Sequence, residues 1–487
     1  MEAYLGDFMP RGKPQTLRSL ELFTGAGGLA LGTHAAGFRH AAVLEWNPDA
    51  CQTLRTNSKA KAVEGISRWS IMETDVRSVS FAENFHGVDL VAGGPPCQPF
   101  SIGGKHRGMD DGRDMIPQFI RAVRELAPRA FILENVKGLT RQAFRNYLQY
   151  ALLQLTYPTL ERKKDEPWLR HLERLEDAHT RGCKDGLRYN VVHRVLNAAN
   201  FGVPQTRERV FVVGFRSDCA STWHFPEASH SLDALLHDQW VTGAYWERHG
   251  QKRPRTVPLA IAARLRRIAD QKPPLQPWST IRDAIHDLPN PLPGRETRGY
   301  LNHVLQPGAR SYVGHTGSPI DYPSKTLKAG DHGVPGGENM MLLPDGSVRY
   351  LTIREAARVQ TFPDSWHLEG AWTEAMRQIG NAVPVQLAAS VAKSVASILQ
   401  AATMRTSYDD REAHMSRKPD RLERCDIRVQ GGIAAARYKW ASLRVAGHVQ
   451  HDEDVTGWTD QDVLNVMANL IGIDEPRDRA VMRLVWD

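Results

Sequence analysis

Five short apolar runs, spaced along the first 215 residues of a 487-residue chain, constrain its fold more than any other feature. They are LRSLELF (17–23), AAVLEW (41–46), VDLVA (88–92), FILENV (131–136) and RVFVVGF (209–215). Runs of this length suit strands buried on both faces and are too short for globular helices. A glycine-rich turn and a helix through Leu29 to Gly37 separate the first two. Strand, turn, helix and strand therefore alternate as in a doubly wound α/β sheet. Open sheets of that kind bind ligands beyond the carboxyl ends of their strands, so the residues that end each run are where chemistry is expected.

The third run passes into GGPPCQPFS (93–101), which presents Cys97 behind Pro95 and Pro96. Two prolines fix φ and restrict the residue before each of them, so the loop that carries the sulfur is stiff. An isolated free cysteine is more often an apolar filler than a nucleophile. Here the fourth run ends in Glu134 and Asn135, and PQTRERVFVVG (204–214) sets Arg207 and Arg209 two apart on one face of an extended segment. A thiol, a carboxyl and paired guanidinium groups at successive strand ends read as a site. The first turn, FTGAGGL (23–29), offers Gly25, Gly27 and Gly28 where a strand hands over to a helix and a ligand approaches the backbone. Its spacing is not GxGxxG, because Ala30 stands where the third glycine belongs. Glu45 ends the second strand where nucleotide-type folds hold ribose hydroxyls, Trp46 beside it offers a stacking face, and Asp75 ends a short third strand. That order favours an adenosine-containing ligand.

The length exceeds a single core, so two domains and a small third are expected. The five cysteines are scattered without a CxxC pair, which argues against a disulfide framework and a structural zinc, and no metal is expected. No run of about 18 apolar residues suggests a membrane span and no secretory h-region stands out at the amino terminus, so the expected compartment is the cytoplasm. A net charge of +7 is compatible with a polyanionic partner without establishing one. Residues 225–330 hold 12 of the 29 prolines and 14 Lys and Arg against 9 Asp and Glu, which reads as a loop-rich basic insertion. Helical periodicity returns in LTIREAARVQTF (351–362), and QIGNAVPVQLAASVAKSVASIL (378–399) reads as a loop feeding an apolar helix. The tail has no assignable role; WTDQDVLNVMANLIGI within it has the spacing of one amphipathic helix.

Taken in order, FTGAGGL, EW, GGPPCQPFS, ENVKGL, QTRERV, LTIREAARVQTFP and QIGNAVP resemble the motif set of the DNA cytosine C5 methyltransferases, over most of residues 17–399. The resemblance implies a doubly wound, Rossmann-like, S-adenosylmethionine-dependent domain (17–220 and 346–400), a smaller loop-rich target-recognition domain (221–345) and an extension (403–487). It implies that Cys97 bonds to C6 of a flipped cytosine, Glu134 holds the N3 and N4 edge, Arg209 binds O2 and Arg207 supports the site. S-adenosylmethionine would contact Phe23, Gly25, Gly27, Gly28, Glu45, Trp46, Asp75, Val76 and Pro95, with Asn381 folding back to complete the pocket. The family pattern is departed from at Asp114–Pro117, which puts the adenine contact of Ile116 in question, and the segment 140–187 is longer than usual and reads as a solvated polar helix. Double-stranded DNA is the implied partner, in a bacterial nucleoid, for a monomer accompanied by a restriction endonuclease of the same specificity. SKTLKAGDHGVPGG (324–337) is the candidate groove-entering loop. Transfer to tRNA, a non-catalytic DNA-binding or adenosine-sensing relative, and a nicotinamide dehydrogenase are the alternatives; the last lacks both the glycine spacing and a use for the Cys-Glu-Arg set.

Overall fold

The structure is a computed structural model that describes residues 16–96, 114–183, 185–219, 222–313, 316–329, 339–415, 425–429 and 482–486. Cys97, the second part of the 324–337 loop and the amphipathic segment of the tail lie outside the described residues.

Seven strands form one sheet: β1 (Arg18–Leu22), β2 (Arg39–Glu45), β3 (Ile71–Glu73), β4 (Leu90–Gly93), β5 (Ala130–Val136), β6 (Tyr189–Asn197) and β7 (Glu208–Arg216). Their order is β3-β2-β1-β4-β5-β7-β6. The first five are parallel, whereas β7 runs antiparallel to β5 and β6 antiparallel to β7. The order reverses between β1 and β4, and that switch point opens a crevice at the carboxyl ends. On one face Leu20, Leu22, Val91, Phe131 and Leu133 pack against Ile116, Phe119, Ile120 and Val123. Those four lie on α4 (Ile116–Leu126), the helix that follows α1 (Gly28–Ala35), α2 (Pro48–Ala60) and the single turn α3 (Phe81–Asn84). The other face carries Leu90, Ala92, Ile132, Phe211 and Val213, covered by Leu387, Val391, Val395 and Leu399.

The covering residues belong to α13 (Val385–Met415). The stretch Trp372–Ala402 is long and apolar enough to cross a membrane, which the sequence reading did not anticipate, but the sheet buries the apolar side of its latter part. The expected loop at 378–381 is instead the last turn of α12 (Trp372–Asn381). Ala375, Met376 and Ile379 face the core, so that helix continues until the extended Ala382, with Val383 held out of the helical region by Pro384. The helical periodicity expected within 351–362 forms α11 (Ile353–Val359), started by a capping box between Thr352 and Glu355.

The polar segment after β5 is a helical hairpin rather than a solvated helix. In it α5 (Arg145–Thr156) and α6 (Trp168–Thr180) enclose Tyr150, Leu153, Tyr157 and Leu175, and His171 bridges the Tyr150 hydroxyl and the Leu160 carbonyl. The basic insertion also has more order than its faded periodicity suggests. A short pair, β8 (His230–Ser231) with β9 (Gln276–Pro277), closes a lobe made of α7 (Leu232–Leu236), a π-helical turn, α8 (Ala244–Arg248) and α9 (Leu259–Ile268). Aromatic residues hold it: Tyr245 and Trp246 pack with Leu235, and Trp240 with Leu236 and Ile268. After it α10 (Ile281–Ile285) joins the core around Trp366. The described residues up to Arg405 form one compact unit; in the second, Cys425–Val429 pairs in parallel with Met482–Trp486.

Candidate active site

The carboxyl ends of β4 and β5 are bound to each other before any charged group is considered. Gly93 and Leu133 are register partners, and a Cβ on Gly94 would stand 3.0 Å from Glu134 Oε2. Glycine at 94 therefore lets the loop backbone lie directly on the carboxyl group. Buried Pro95 turns its carbonyl to Asn135, whose Nδ2 donates to it at 3.1 Å. The expected GGPP and ENV blocks thus form one surface that ends at exposed Pro96, immediately before Cys97.

Glu134 is 7% exposed, and its Oε1 accepts from Arg209 Nε at 2.9 Å. The sheet sets that meeting, because Val136 of β5 is the register partner of Arg209 on β7. Burial raises the Glu134 carboxyl above the usual carboxylate range, while Arg209 and then Arg207 oppose the rise. The carboxyl is thereby biased toward holding a proton that an exposed glutamate would have lost. Burial also lowers Arg209 and Arg207 from their ordinary range, although a guanidinium keeps its charge in proteins.

Arg207 is fully buried and does something different from Arg209. Its Nη1 donates to the Leu327 carbonyl at 2.9 Å and its Nη2 to the Gly380 carbonyl at 2.7 Å. One side chain so joins the β7 approach, the 324–329 segment and the end of α12. Two glutamines that the sequence reading passed over complete this clasp. Gln205 donates to Gln360 Oε1 at 3.1 Å and accepts from the Leu327 N–H at 3.0 Å, and Gln360 donates to the Ile379 carbonyl at 2.7 Å. The signal that could have found them is a buried amide inside an otherwise apolar block, which requires partners for every polar atom. Gly380 takes part by having no side chain, since a Cβ there would stand 2.4 Å from the Ala329 nitrogen. The 324–329 segment, expected as the start of a groove-entering loop, is docked on the core, with Ser324 and Leu327 buried.

At the other end of the crevice the three glycines divide their work. Gly27 caps α1 in the left-handed region and packs on Trp366, and Gly28 lies against the Val383 carbonyl, which a Cβ would meet at 2.2 Å. Only Gly25, at φ +55, faces open space. Its N–H donates to Glu45 Oε2 at 2.7 Å, while Glu45 Oε1 accepts from the Trp46 and Asn47 N–H groups. Three of the four carboxylate lone pairs are then used, and one on Oε2 remains for a hydroxyl. Trp46 beside it is 68% exposed, an indole face on the rim of the cradle, and Phe23 at the start of the turn is held at φ 56 and packs partly against the core. A nucleoside fits this donor set: a ribose on Glu45 over the gap at Gly25, and a base against Trp46.

The remaining expected contacts are disposed less simply. Asp75 caps the turn Val76–Ser78, and Arg77 grips its carboxylate through Nε at 2.9 Å and through Nη2, so its reach toward a ligand competes with that pair. The pair and the backbone N–H of Arg77 hold the Asp75 carboxyl below its usual range. Val76 is buried, with its carbonyl taken by Arg121 Nη2 at 2.6 Å. Asn381 ends α12 with an exposed side chain, although the backbone after it does fold back onto Gly28. Ile116 is 1% exposed and belongs to the core beneath α4.

The family model described as C-5 cytosine-specific DNA methylase matches residues 17–157 and 183–397. The break between them coincides with the loop and helix of the α5–α6 hairpin. The Type II methyltransferase M.NgoMIV of Neisseria gonorrhoeae is 30% identical over 392 residues, covering 78% of this chain and 98% of its own length. The Type II methyltransferase M.Eco47II of Escherichia coli is 32% identical over 388 residues, covering 78% of this chain and 79% of its own. Among solved structures the S. pombe Dnmt2 methyltransferase aligns at 17% identity with a TM-score of 0.45, over 80% of this chain and 99% of that one.

Proposed function

Because the chain belongs to the C-5 cytosine-specific DNA methylase family, we propose that it methylates C5 of cytosine within a short sequence of double-stranded DNA, as the modification partner of a restriction endonuclease. The observation that carries this reading is the buried Glu134–Arg209 pair at the carboxyl edge, with Gly94 of the PPC loop lying on the same carboxyl group. An unpaired cytosine presents O2, N3 and N4 along one edge, and a guanidinium next to a protonated carboxyl is complementary to that edge.

Cytosine C5 is too weak a nucleophile to accept a methyl cation equivalent directly. In the proposed reaction the Cys97 thiolate adds to C6, and the electron pair moves toward N3. Glu134 donates its proton to N3 as that charge develops, which is the state its burial favours. Arg209 holds O2, and Arg207 keeps β7 in register with the docked 324–329 segment. Glu45 and Trp46 would hold S-adenosylmethionine over Gly25, where it would supply the methyl group to C5 and depart as the thioether S-adenosylhomocysteine. Loss of the C5 proton to a base, expulsion of the Cys97 thiolate and return of the N3 proton to Glu134 restore the aromatic ring and the starting acid. Because a duplex hides this edge, the base must leave the stack, at a cost of a few kcal/mol. The proposed division of labour assigns catalysis to 17–220 with 346–400 and sequence reading to 221–345, working as a monomer on chromosomal DNA in the bacterial cytoplasm.

The test is incubation with unmethylated genomic DNA and methyl-labelled S-adenosylmethionine, followed by bisulfite sequencing. C5 methylation at one recurring short sequence is expected, and Cys97→Ser should abolish it while duplex binding persists. Label in tRNA alone would overturn the DNA assignment, and unchanged turnover by Cys97→Ser would overturn the nucleophile.

A further inference from the structure

The basic insertion is not evenly charged. Residues 251–272 carry seven Lys and Arg against the single Asp270. Three of the seven have structural partners: Arg253 lies over the Trp240 ring and donates to its carbonyl, while Arg264 and Arg267 meet Asp233. Lys252, Arg255, Arg266 and Lys272 are exposed, and none has an ion-pair partner among the described residues. Every residue from 251 to 260 is exposed. The α9 helix turns Ile261, Leu265 and Ile268 inward onto Leu232, Leu236 and Trp240, which leaves Arg266 on its outer side.

The stem of this lobe is fixed to the catalytic edge of the sheet. Ser229 N–H donates to the Asn200 carbonyl at 3.0 Å, and Trp278 Nε1 donates to Asn200 Oδ1 at 3.1 Å. Gly202 packs on the His230 ring, where a Cβ would stand 2.8 Å from it. Asn200 and Gly202 belong to the turn from β6 to β7, the turn that leads into Arg207 and Arg209. Since Arg209 is opposite Val136, that turn lies at the carboxyl end of β5, beside Glu134. The lobe therefore grows from the same edge that presents the candidate catalytic groups.

We propose that the outer face of this lobe, with Lys252, Arg255, Arg266 and Lys272, is a sequence-independent contact to the phosphate backbone of the duplex flanking the target cytosine. The inference rests on DNA being the substrate. Unpaired cations on an exposed surface attract phosphates without reading bases, and each phosphate they neutralise releases counterions. The contact would hold the duplex in place while the base is out of the stack.

The experiment uses the full chain and the variant Lys252→Gln/Arg255→Gln/Arg266→Gln/Lys272→Gln, all four positions being exposed. Duplex affinity is measured between about 50 and 200 mM salt by fluorescence anisotropy, together with methyl transfer at saturating DNA and the methylated sequence. Each lost contact should flatten the slope of log K against log salt by about 0.9. A flattening of roughly two or more, with saturated turnover and methylated sequence unchanged, is the expected result. An unchanged slope overturns the inference, and so does an altered methylated sequence, which would make the face a base reader. Transfer by the unsubstituted chain is measured alongside. If neither protein methylates DNA, the substrate assignment has failed, whereas an unchanged slope in an active variant fails this inference alone.

Discussion

Glu134 illustrates how much of the chemistry depends on one residue's surroundings. Its carboxyl is desolvated, which raises its pKa, and Arg209 at 2.9 Å moderates that rise without cancelling it. If the protonated form donates to N3, activity should be retained to a higher pH than an ordinary glutamic acid would allow, then fall as pH rises through the raised pKa. Glu134→Gln keeps the shape and one donor but cannot transfer a proton. Turnover should drop by about 10²- to 10⁴-fold, the usual contribution of a general acid, and the falling limb that titrates Glu134 should disappear from the pH profile of the residual rate. A variant that kept both its rate and that limb would remove Glu134 from the proton-donor role. The sequence made this residue legible because it ends an apolar run. It did not make the joint role of Gln205 and Gln360 legible, since the two amides that bond to each other lie 155 positions apart.

Among the elements, the turn from β1 into α1 repays the closest comparison between sequence and structure. Gly25, Gly27 and Gly28 look alike in FTGAGGL, and all three were expected at the cofactor. Packing separates them: Gly28 is a contact between α1 and the 382–383 backbone, while Gly25 faces the open cradle. Gly28→Ala should therefore destabilise the fold by about 1–3 kcal/mol as overpacking does, seen as a lower denaturation midpoint. Gly25→Ala meets no neighbour and carries only the cost of a left-handed alanine, about 1–2 kcal/mol. Its larger effect should be a raised KM for S-adenosylmethionine, because the new methyl group enters the cradle. Equal effects of the two on stability, with no change in KM, would contradict this assignment. The α5–α6 hairpin teaches a related lesson: LERKKDEPWLRHLERLEDAH is polar in composition, yet Leu175 and His171 find partners on α5 that only the folded chain supplies.

For the whole molecule, the question is which part reads sequence. The 324–329 segment returns from the insertion into the Arg207 clasp, and the lobe stem is tied to Asn200, so the insertion is joined to the catalytic edge at both places. Replacing 221–345 by the corresponding segment of another family member should change the methylated sequence while transfer itself persists, provided that the residues replacing Ser324 and Leu327 keep the backbone bonds to the 204–207 block. Bisulfite sequencing of DNA modified by the chimera checks this. A chimera that still methylates the original sequence would assign the reading to the catalytic domain.

The sequence by itself determined the alternating strands and helices, the glycine turn and the strand-end residues Glu134, Arg207 and Arg209, because buried strands must be apolar and the residues that interrupt them are conspicuous. Only the tertiary structure decided that Arg207 binds two carbonyls while Arg209 meets Glu134, that two of three glycines serve packing, and that the Pro-rich insertion holds an aromatic lobe on the catalytic edge. Those outcomes depend on contacts between residues far apart in the chain, 173 positions for Arg207 and Gly380 and more for Gly28 and Val383, and local patterns carry no record of such partners.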